Sequence, residues 1–376
     1  MQDIFSSKWD KKIGEDDSKK VKTYEPIKTP KGSDLVSVDV NADGPEEMAC
    51  FVSEDVDKDK LEHLWIVMHG KRRDGNEYWR TFDRVLTQAC QDKVTHSDRE
   101  IAVLAPQFFS ARFNQGQYTT DQLAWDDLNA WQSGSVAVHP QGTNVTSFDV
   151  LDGFIDEFAD NKTYPSLTNI TFIGHGGGGQ LLQRYAVFGV EAPSHLHVRY
   201  VHGDPSSSVY FTDDRSVSKI NRKDANKDAC PWYNTWRYGF EGFPGRKDGD
   251  KNMKPKAYFQ QYLSRDVISI VGYDDKAAAG DRSCMAYMQG GGKRRDRNLV
   301  WYRYINELAR TGEDLDGFPG EFENLPDWSH LVNGTSGLRL VVVENASHNV
   351  KQLFKAKAGQ NVLFNDFDIF SDKELN

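Results

Sequence analysis

Six short, mostly apolar runs recur along this chain of 376 residues, and patterns of helical spacing separate several of them. The runs occupy 64–68, 101–105, 171–173, 197–201, 267–271 and 338–343. A strand covered on both faces reads as a continuous apolar run, because neither face meets water. Strands of this kind that alternate with helices predict an α/β fold, with a mostly parallel central sheet covered by helices.

The helical patterns and the remaining segments predict the domain organisation. Apolar side chains repeat at helical spacing over 150–158, 181–186 and 299–308, and Ser147 is the expected N-cap of the first helix. Residues 1–45 are polar and predict an extended arm with one edge strand. Residues 206–261 break the alternation and are rich in aromatic side chains. We predict a core of 46–205 and 262–376, with 206–261 inserted as a cap.

The third apolar run leads into a glycine-rich turn that reads Gly174-His175-Gly176 and continues with three more glycines before a helix. Hydrolases with the motif G-x-S-x-G place it at such a strand-to-helix turn. Gly174 and Gly178 occupy the two glycine positions, where a side chain beside the tight turn would clash. The position of the nucleophilic serine holds Gly176.

Two other interpretations of the glycine run remain open. The spacing of Gly174, Gly176 and Gly179 also matches the phosphate-binding pattern G-x-G-x-x-G. That pattern normally follows the first strand of a domain, whereas about 170 residues precede this one, and the expected acidic residue could only be Glu191. The other alternative is a glycine-rich packing turn without a chemical role.

Several motifs resemble a family of α/β-hydrolases, often secreted, whose elbow reads G-H-S-A-G-G-Q. The matching segments are 174–175, 178–180 and 184–186 at the elbow, 69–74 and 78–79 in the loop that supplies oxyanion donors, and 147–152, 204–207, 236–239, 281–284 and 289–290 elsewhere. The resemblance covers about residues 60 to 350 and implies an α/β-hydrolase fold and acyl-hydrolase ancestry. Its main departure is Gly176 in place of serine.

A complete acyl-transfer site also needs a base and an acid that orients the base, and in this fold they follow the nucleophile in the chain. His348, just after the last predicted strand, is the candidate base. Candidate acids are Asp275, Asp274 and Asp281, which follow the fifth strand. The family pattern G-x-x-D selects Asp275.

The oxyanion hole requires backbone N–H groups, which a change at position 176 does not remove. The candidate donors are the N–H groups of Gly177, directly after the elbow, and of Lys71, in the loop that begins with His69 and Gly70. Aromatic residues of the inserted segment are candidates to line a pocket for the substrate. Among them we single out Trp232 and Trp236.

Without a side chain at position 176, the chain cannot attack a carbonyl by the usual covalent route. It is then either an inactivated variant of a serine esterase or a natural pseudoenzyme that binds an ester-like ligand. Alternatives are a small-molecule-binding protein without turnover and a non-covalent reaction in which His348 is the general base.

The composition narrows the classes of partner. The formal net charge of −10 disfavours nucleic-acid binding, which normally requires a basic surface, and no apolar run is long enough for a membrane span. We find no zinc or calcium motif and expect neither a metal nor a cofactor, so the expected partner is a small ester-like molecule. The oligomeric state stays open.

Cysteines and sequons favour secretion, with a cytoplasmic location as the alternative. The chain has Cys230, in the inserted segment, and Cys284, just after the candidate acids, and also Cys50 and Cys90. We expect each couple to form a disulfide, with free buried thiols as the alternative. Five N-x-S/T sequons begin at Asn144, Asn161, Asn169, Asn333 and Asn345.

Overall fold

The computed structural model describes residues 23–95, 100–126, 130–216, 223, 225–246, 253–332 and 336–364. Within these residues the strands are β1 (Ser33–Asp39), β2 (Glu47–Ser53), β3 (His63–Met68), β4 (Ile101–Pro106), β5 (Phe109–Ser110), β6 (Ala124–Trp125), β7 (Asn169–His175), β8 (His197–Gly203), β9 (Asp266–Gly272) and β10 (Leu338–Val343). Eight of them form one sheet in the order β1-β2-β4-β3-β7-β8-β9-β10, and β5 pairs with β6.

The six apolar runs are confirmed as strands β3, β4, β7, β8, β9 and β10, and they pair in parallel with one another. Strands β3 and β7, in the middle of the sheet, are buried along their whole length. Strand β10 lies at the edge and is partly exposed, with Val342 38% accessible. The parallel arrangement brings the carboxyl ends of these strands to one edge of the sheet, where ligand sites of open α/β sheets normally lie.

The other edge of the sheet is antiparallel. Strand β1, the edge strand predicted for the polar arm, pairs with β2 over its full length, and β2 joins β4. Residues 1–22 of the arm lie outside the described residues. The sequence did not indicate β2, because polar residues at both of its ends interrupt the apolar pattern.

Helices cover both faces of the sheet. They are α1 (Gly75–Gln91), α2 (Ser147–Phe158), α3 (Gly177–Phe188), α4 (Pro255–Ser264), α5 (Cys284–Tyr287), α6 (Arg294–Ala309), α7 (Val350–Lys355) and α8 (Lys357–Asn361). Helices α2, α3 and α6 confirm the three helical patterns. Side chains of α1 and α7 pack with Trp65 and Val67, whereas those of α2, α3, α4 and α6 pack with Ile66 on the opposite face.

The N-cap of α2 differs from the prediction. The cap is Thr146, whose hydroxyl accepts from the N–H of Asp149 while the Asp149 carboxylate accepts from the N–H of Thr146. This reciprocal capping box outcompetes a cap one residue later. The predicted cap, Ser147, is instead the first helical residue, and its hydroxyl donates to the carbonyl oxygen of Trp131 at 2.6 Å.

One of the two expected disulfides is present. Cys230 and Cys284 are joined, which ties the inserted segment to the start of α5. The predicted pairing of Cys50 with Cys90 is wrong, since both are free thiols. Cys50 faces the opposite side of the sheet from its neighbour Phe51, and it is Phe51 that packs with the helix α1 that carries Cys90. The division of the chain into core and cap stays a prediction.

The sequons fall in different environments. Asn144, Asn161 and Asn345 are exposed, whereas Asn169 is buried in β7 and inaccessible to a glycosylating enzyme in the folded chain. Asn333 lies outside the described residues. Among the described residues, no helix has the length and apolar character needed to cross a membrane. Secretion stays a prediction.

Candidate active site

The site is built around the turn between β7 and α3, which we call the elbow corner (residues 174–179). Gly176 lies at the turn with φ +60° and ψ −106°, in a region that L side chains rarely adopt. Cβ atoms built on Gly174, Gly178 and Gly179 would lie 2.4–2.5 Å from backbone carbonyl oxygens. The close backbone approach therefore requires glycine at these three positions.

His348 reaches the elbow corner from the loop after β10. A Cβ atom on residue 176 would lie 3.1 Å from the Nε2 atom of His348. The Nδ1 atom of the same ring lies 3.0 Å from the Oδ2 atom of Asp275. The structure thus brings residues 176, 275 and 348 together, and the imidazole side chain keeps 31% exposure toward the solvent side.

Asp275 lies just beyond β9 and is almost completely buried. Arg294, at the start of α6, donates two 2.8 Å hydrogen bonds to its two carboxylate oxygens. Burial raises the pKa of Asp275, but hydrogen bonds from His348 and Arg294 outweigh this effect and hold the pKa below its ordinary value. The carboxylate is therefore ionised at neutral pH, as an orienting acid requires.

The two other candidate acids have different partners. Asp274 is exposed and forms an ion pair with Lys276 at 2.8 Å. Asp281 is buried and accepts hydrogen bonds from the hydroxyl of Tyr238 at 2.6 Å and the N–H of Ser283 at 2.9 Å. These contacts place both carboxylates in other networks than that of His348.

A second buried carboxylate, Asp204, was not predicted. It follows β8, and its Oδ1 atom accepts from the N–H of Gly272 at 3.0 Å. Its Oδ2 atom lies 3.5 Å from Nε2 of His175 and 4.0 Å from Nδ1 of His348. The available signal was its place after a strand next to β7 and β9, since carboxyl ends of parallel strands meet at one edge.

The same three side chains could in principle hold a metal ion. The ligand atoms of His175, Asp204 and His348 lie within 4.8 Å of one another. Zinc at about 2.1 Å from two ligands allows them to be at most roughly 4.2 Å apart, so the set would have to contract. We interpret the group as buried polar side chains that pack beside His348, with Nε2 of His175 facing Oδ2 of Asp204 at 3.5 Å.

The candidate oxyanion donors lie side by side. A Cβ atom built on Gly177 would lie 3.1 Å from the backbone nitrogen of Lys71. The preceding His69 is buried, accepts at Nε2 from the N–H of Phe108 at 3.1 Å, and so donates from Nδ1 to the oxygen of Gly70 at 2.8 Å. Burial lowers the pKa of His69 to about 3, so the ring is neutral and shapes the loop.

The two predicted pocket tryptophans differ in environment. The ring centroid of Trp236 lies 5.1 Å from that of Phe188 on α3 and 4.6 Å from that of Phe243. The contact with Phe188 joins residues of the predicted cap to helix α3. Trp232 is 36% exposed. Contact of either residue with a ligand stays a prediction. A cavity of about 200 Å³ between Ile27, Leu35 and their neighbours contains none of the predicted site residues.

Known proteins resemble this chain in structure. No protein-family model matches it, and no curated protein matches its sequence. A poly(3-hydroxybutyrate) depolymerase from Bordetella parapertussis is similar at 14% identity with a TM-score of 0.53, over 85% of this chain and 86% of that one. Poly(aspartic acid) hydrolase-1 from Sphingomonas sp. KT-1 is similar at 15% identity with a TM-score of 0.56, over 89% and 99%. Together with the mostly parallel sheet and its covering helices, these likenesses show that the chain has the α/β-hydrolase fold.

Proposed function

We propose that this chain is a protein of carboxylic-ester (acyl) hydrolase lineage that binds an ester-like ligand at the elbow corner and lacks covalent turnover because residue 176 is glycine. One observation carries the proposal. The Nε2 atom of His348 lies 3.1 Å from the Cβ position of residue 176, and Asp275 holds the other ring nitrogen. This arrangement supports the roles of His348 as base and of Asp275 as the acid that orients it.

Each remaining group has a chemical role in this proposal. A serine hydroxyl at position 176 would lie within hydrogen-bond reach of His348, which would accept its proton as the serine attacks the ester carbonyl. Asp275 would orient the imidazole and stabilise its protonated form. The N–H groups of Gly177 and Lys71 would stabilise the oxyanion. Two structurally similar proteins that are named as a depolymerase and a hydrolase add support.

The native chain keeps the proposed base, the acid and the oxyanion donors but has no nucleophile at position 176. Oxyanion donors and binding alone leave a rate roughly 10³–10⁴ above that in water in serine hydrolases that lose the triad. Glycine also removes the strain of about 1–3 kcal/mol that a side chain would carry at φ +60°. The corner therefore keeps its shape without the nucleophile.

Restoring serine tests the proposal. We expect Gly176→Ser to hydrolyse p-nitrophenyl butyrate at least about 10³-fold faster than the native chain, because the full triad is then present. Gly176→Ala, which adds the same strain without a hydroxyl, should stay at the native rate. Both variants should lose about 1–3 kcal/mol of unfolding free energy. A folded Gly176→Ser protein without this gain would contradict the site assignment.

A second candidate function is hydrolysis by general-base catalysis. Apart from the adjoining residues 175 and 177, His348 supplies the only atoms within 4 Å of the Cβ position of residue 176 among the described residues, so there is space beside its Nε2 atom. A water in that space could be activated by the imidazole. Ester hydrolysis by the native chain that disappears in His348→Ala would favour this function. An ester that raises the melting temperature equally in the native chain and in His348→Ala would favour a binding protein without turnover.

A further inference from the structure

Gln132 is a buried side chain at the elbow corner that no motif indicated. It lies on a single 3₁₀ turn, Ala130–Ser133, and is 4% exposed. Its Nε2 atom lies 3.1 Å from the Cβ position of Gly177, and the backbone nitrogen of Lys71 lies 3.1 Å from the same point. A carboxamide nitrogen thus stands beside the two backbone donors of the proposed oxyanion hole.

A chain of hydrogen bonds fixes which end of the Gln132 amide faces the corner. The guanidinium of Arg184, which can only donate, gives a hydrogen bond to the Ser207 hydroxyl at 3.2 Å. Ser207 then donates to Oε1 of Gln180 at 2.9 Å, and Nε2 of Gln180 donates to Oε1 of Gln132 at 3.0 Å. The oxygen of the Gln132 amide must therefore face Gln180, from which it accepts a hydrogen bond, and its nitrogen faces Gly177.

The turn that carries Gln132 is also held in place. The carbonyl oxygen of Trp131 accepts from the Ser147 hydroxyl at 2.6 Å, and the Trp131 ring stacks on Phe108 with centroids 5.0 Å apart. Phe108 in turn donates its N–H to His69 of the oxyanion loop. A donor that is held by packing and by a directed hydrogen-bond chain needs little reorganisation when charge develops nearby.

We propose that the carboxamide of Gln132 is a third oxyanion donor, which contacts the oxygen of a tetrahedral, negatively charged species together with the N–H groups of Gly177 and Lys71. This inference rests on the proposed function. Gln180 and Ser207 act as positioning residues, because they set the orientation of the amide without contacting the ligand. The favoured ligands are tetrahedral anions such as phosphonate monoesters, which resemble the ester intermediate.

The first test uses turnover in the Gly176→Ser protein. Adding Gln132→Met, which keeps the size and removes the donor, should lower kcat for p-nitrophenyl butyrate by about 10²-fold and change KM little. Gln180→Met should lower kcat less, by roughly tenfold, since it releases the amide without removing it. The matched control is Gln183→Met on α3, a buried glutamine whose Oε1 atom accepts from the N–H of Val209. It should leave kcat unchanged.

The second test needs no turnover and uses the native chain. Calorimetry with the monoanion of p-nitrophenyl butylphosphonate should show binding that weakens at least about tenfold in Gln132→Met and not in Gln183→Met. Absence of binding to the native chain, or equal affinity in both variants, would overturn the inference. An inactive Gly176→Ser protein would refute the proposed function, and the phosphonate measurement would then decide the role of Gln132 by itself.

Discussion

The elbow corner and the disulfide-tethered segment, residues 225–246, are held by opposite means. At the elbow corner, three glycines allow backbone atoms to approach so closely that a Cβ atom would lie 2.4–2.5 Å from carbonyl oxygens. In the tethered segment, side chains hold the backbone. The disulfide fixes Cys230, and the buried guanidinium of Arg215 donates to the carbonyl oxygens of Tyr233 and Tyr238 at 3.0 and 3.1 Å.

This difference explains how the corner holds its shape with glycine at position 176. Its conformation depends on the absence of side chains at the neighbouring positions 174, 178 and 179, so it does not require a particular side chain at position 176. The tethered segment has few regular elements and depends on particular side chains. The two regions should therefore respond to different substitutions.

The largest stability effect is expected from the tether. Replacing both Cys230 and Cys284 by serine should lower the unfolding free energy by about 4 kcal/mol, because the bond closes a loop with a sequence separation of 54. Urea unfolding monitored by circular dichroism measures this change. The matched control, Cys90→Ser at a partly exposed free thiol, should cost less than about 0.5 kcal/mol. Equal losses of unfolding free energy in the two variants would show that the Cys230–Cys284 disulfide does not itself stabilise the fold.

A somewhat smaller effect is expected from a single methyl group in the elbow corner. Gly178→Ala should cost about 3 kcal/mol, since its Cβ atom would lie 2.5 Å from the carbonyl oxygen of Met68. Gly177→Ala is the control, because its Cβ would meet the Gln132 side chain and the Lys71 nitrogen only at 3.1 Å. Its unfolding free energy should change by less than about 1 kcal/mol. If the two substitutions cost the same, backbone proximity does not specify the corner.

The smallest effect expected from a single residue, about 2 kcal/mol, depends on pH and comes from one buried histidine. Burial lowers the pKa of His69 and of His202, which pairs with Gly174 across the sheet, to about 3. Below about pH 6.5 the unfolded chain binds protons at these rings and the folded chain does not, so stability falls as the pH drops. Each ring should cost about 2 kcal/mol between pH 7 and pH 5.

The disulfide and the Arg215 guanidinium, which hold the tethered segment, do not titrate in that range. His202→Phe should therefore reduce the pH-dependent loss by about 2 kcal/mol, as measured by unfolding free energies at pH 7 and pH 5. An unchanged pH dependence in this variant would show that the buried imidazoles are not its source.

Much of the fold could be predicted from the sequence because its signals are local. Buried parallel strands produce continuous apolar runs, and all six were found. The sequence did not indicate strand β2, and it placed the N-cap of α2 at Ser147 instead of Thr146. Each feature depends on partners that local patterns do not reveal. The pairing of Cys50 with Cys90 failed for a related reason. Spacing in the sequence does not show that a sheet separates two side chains.

For the candidate site, the sequence by itself determined the glycine-rich turn, the glycine at position 176 and the order in which the candidate acid and histidine follow. Only the tertiary structure decided which groups surround them. It brought Asp204, Gln132 and Arg294 to the corner from separate elements. The physical reason is that a turn is specified by the sterics of adjacent residues, whereas hydrogen-bond partners from distant segments meet only when the sheet aligns its strand ends.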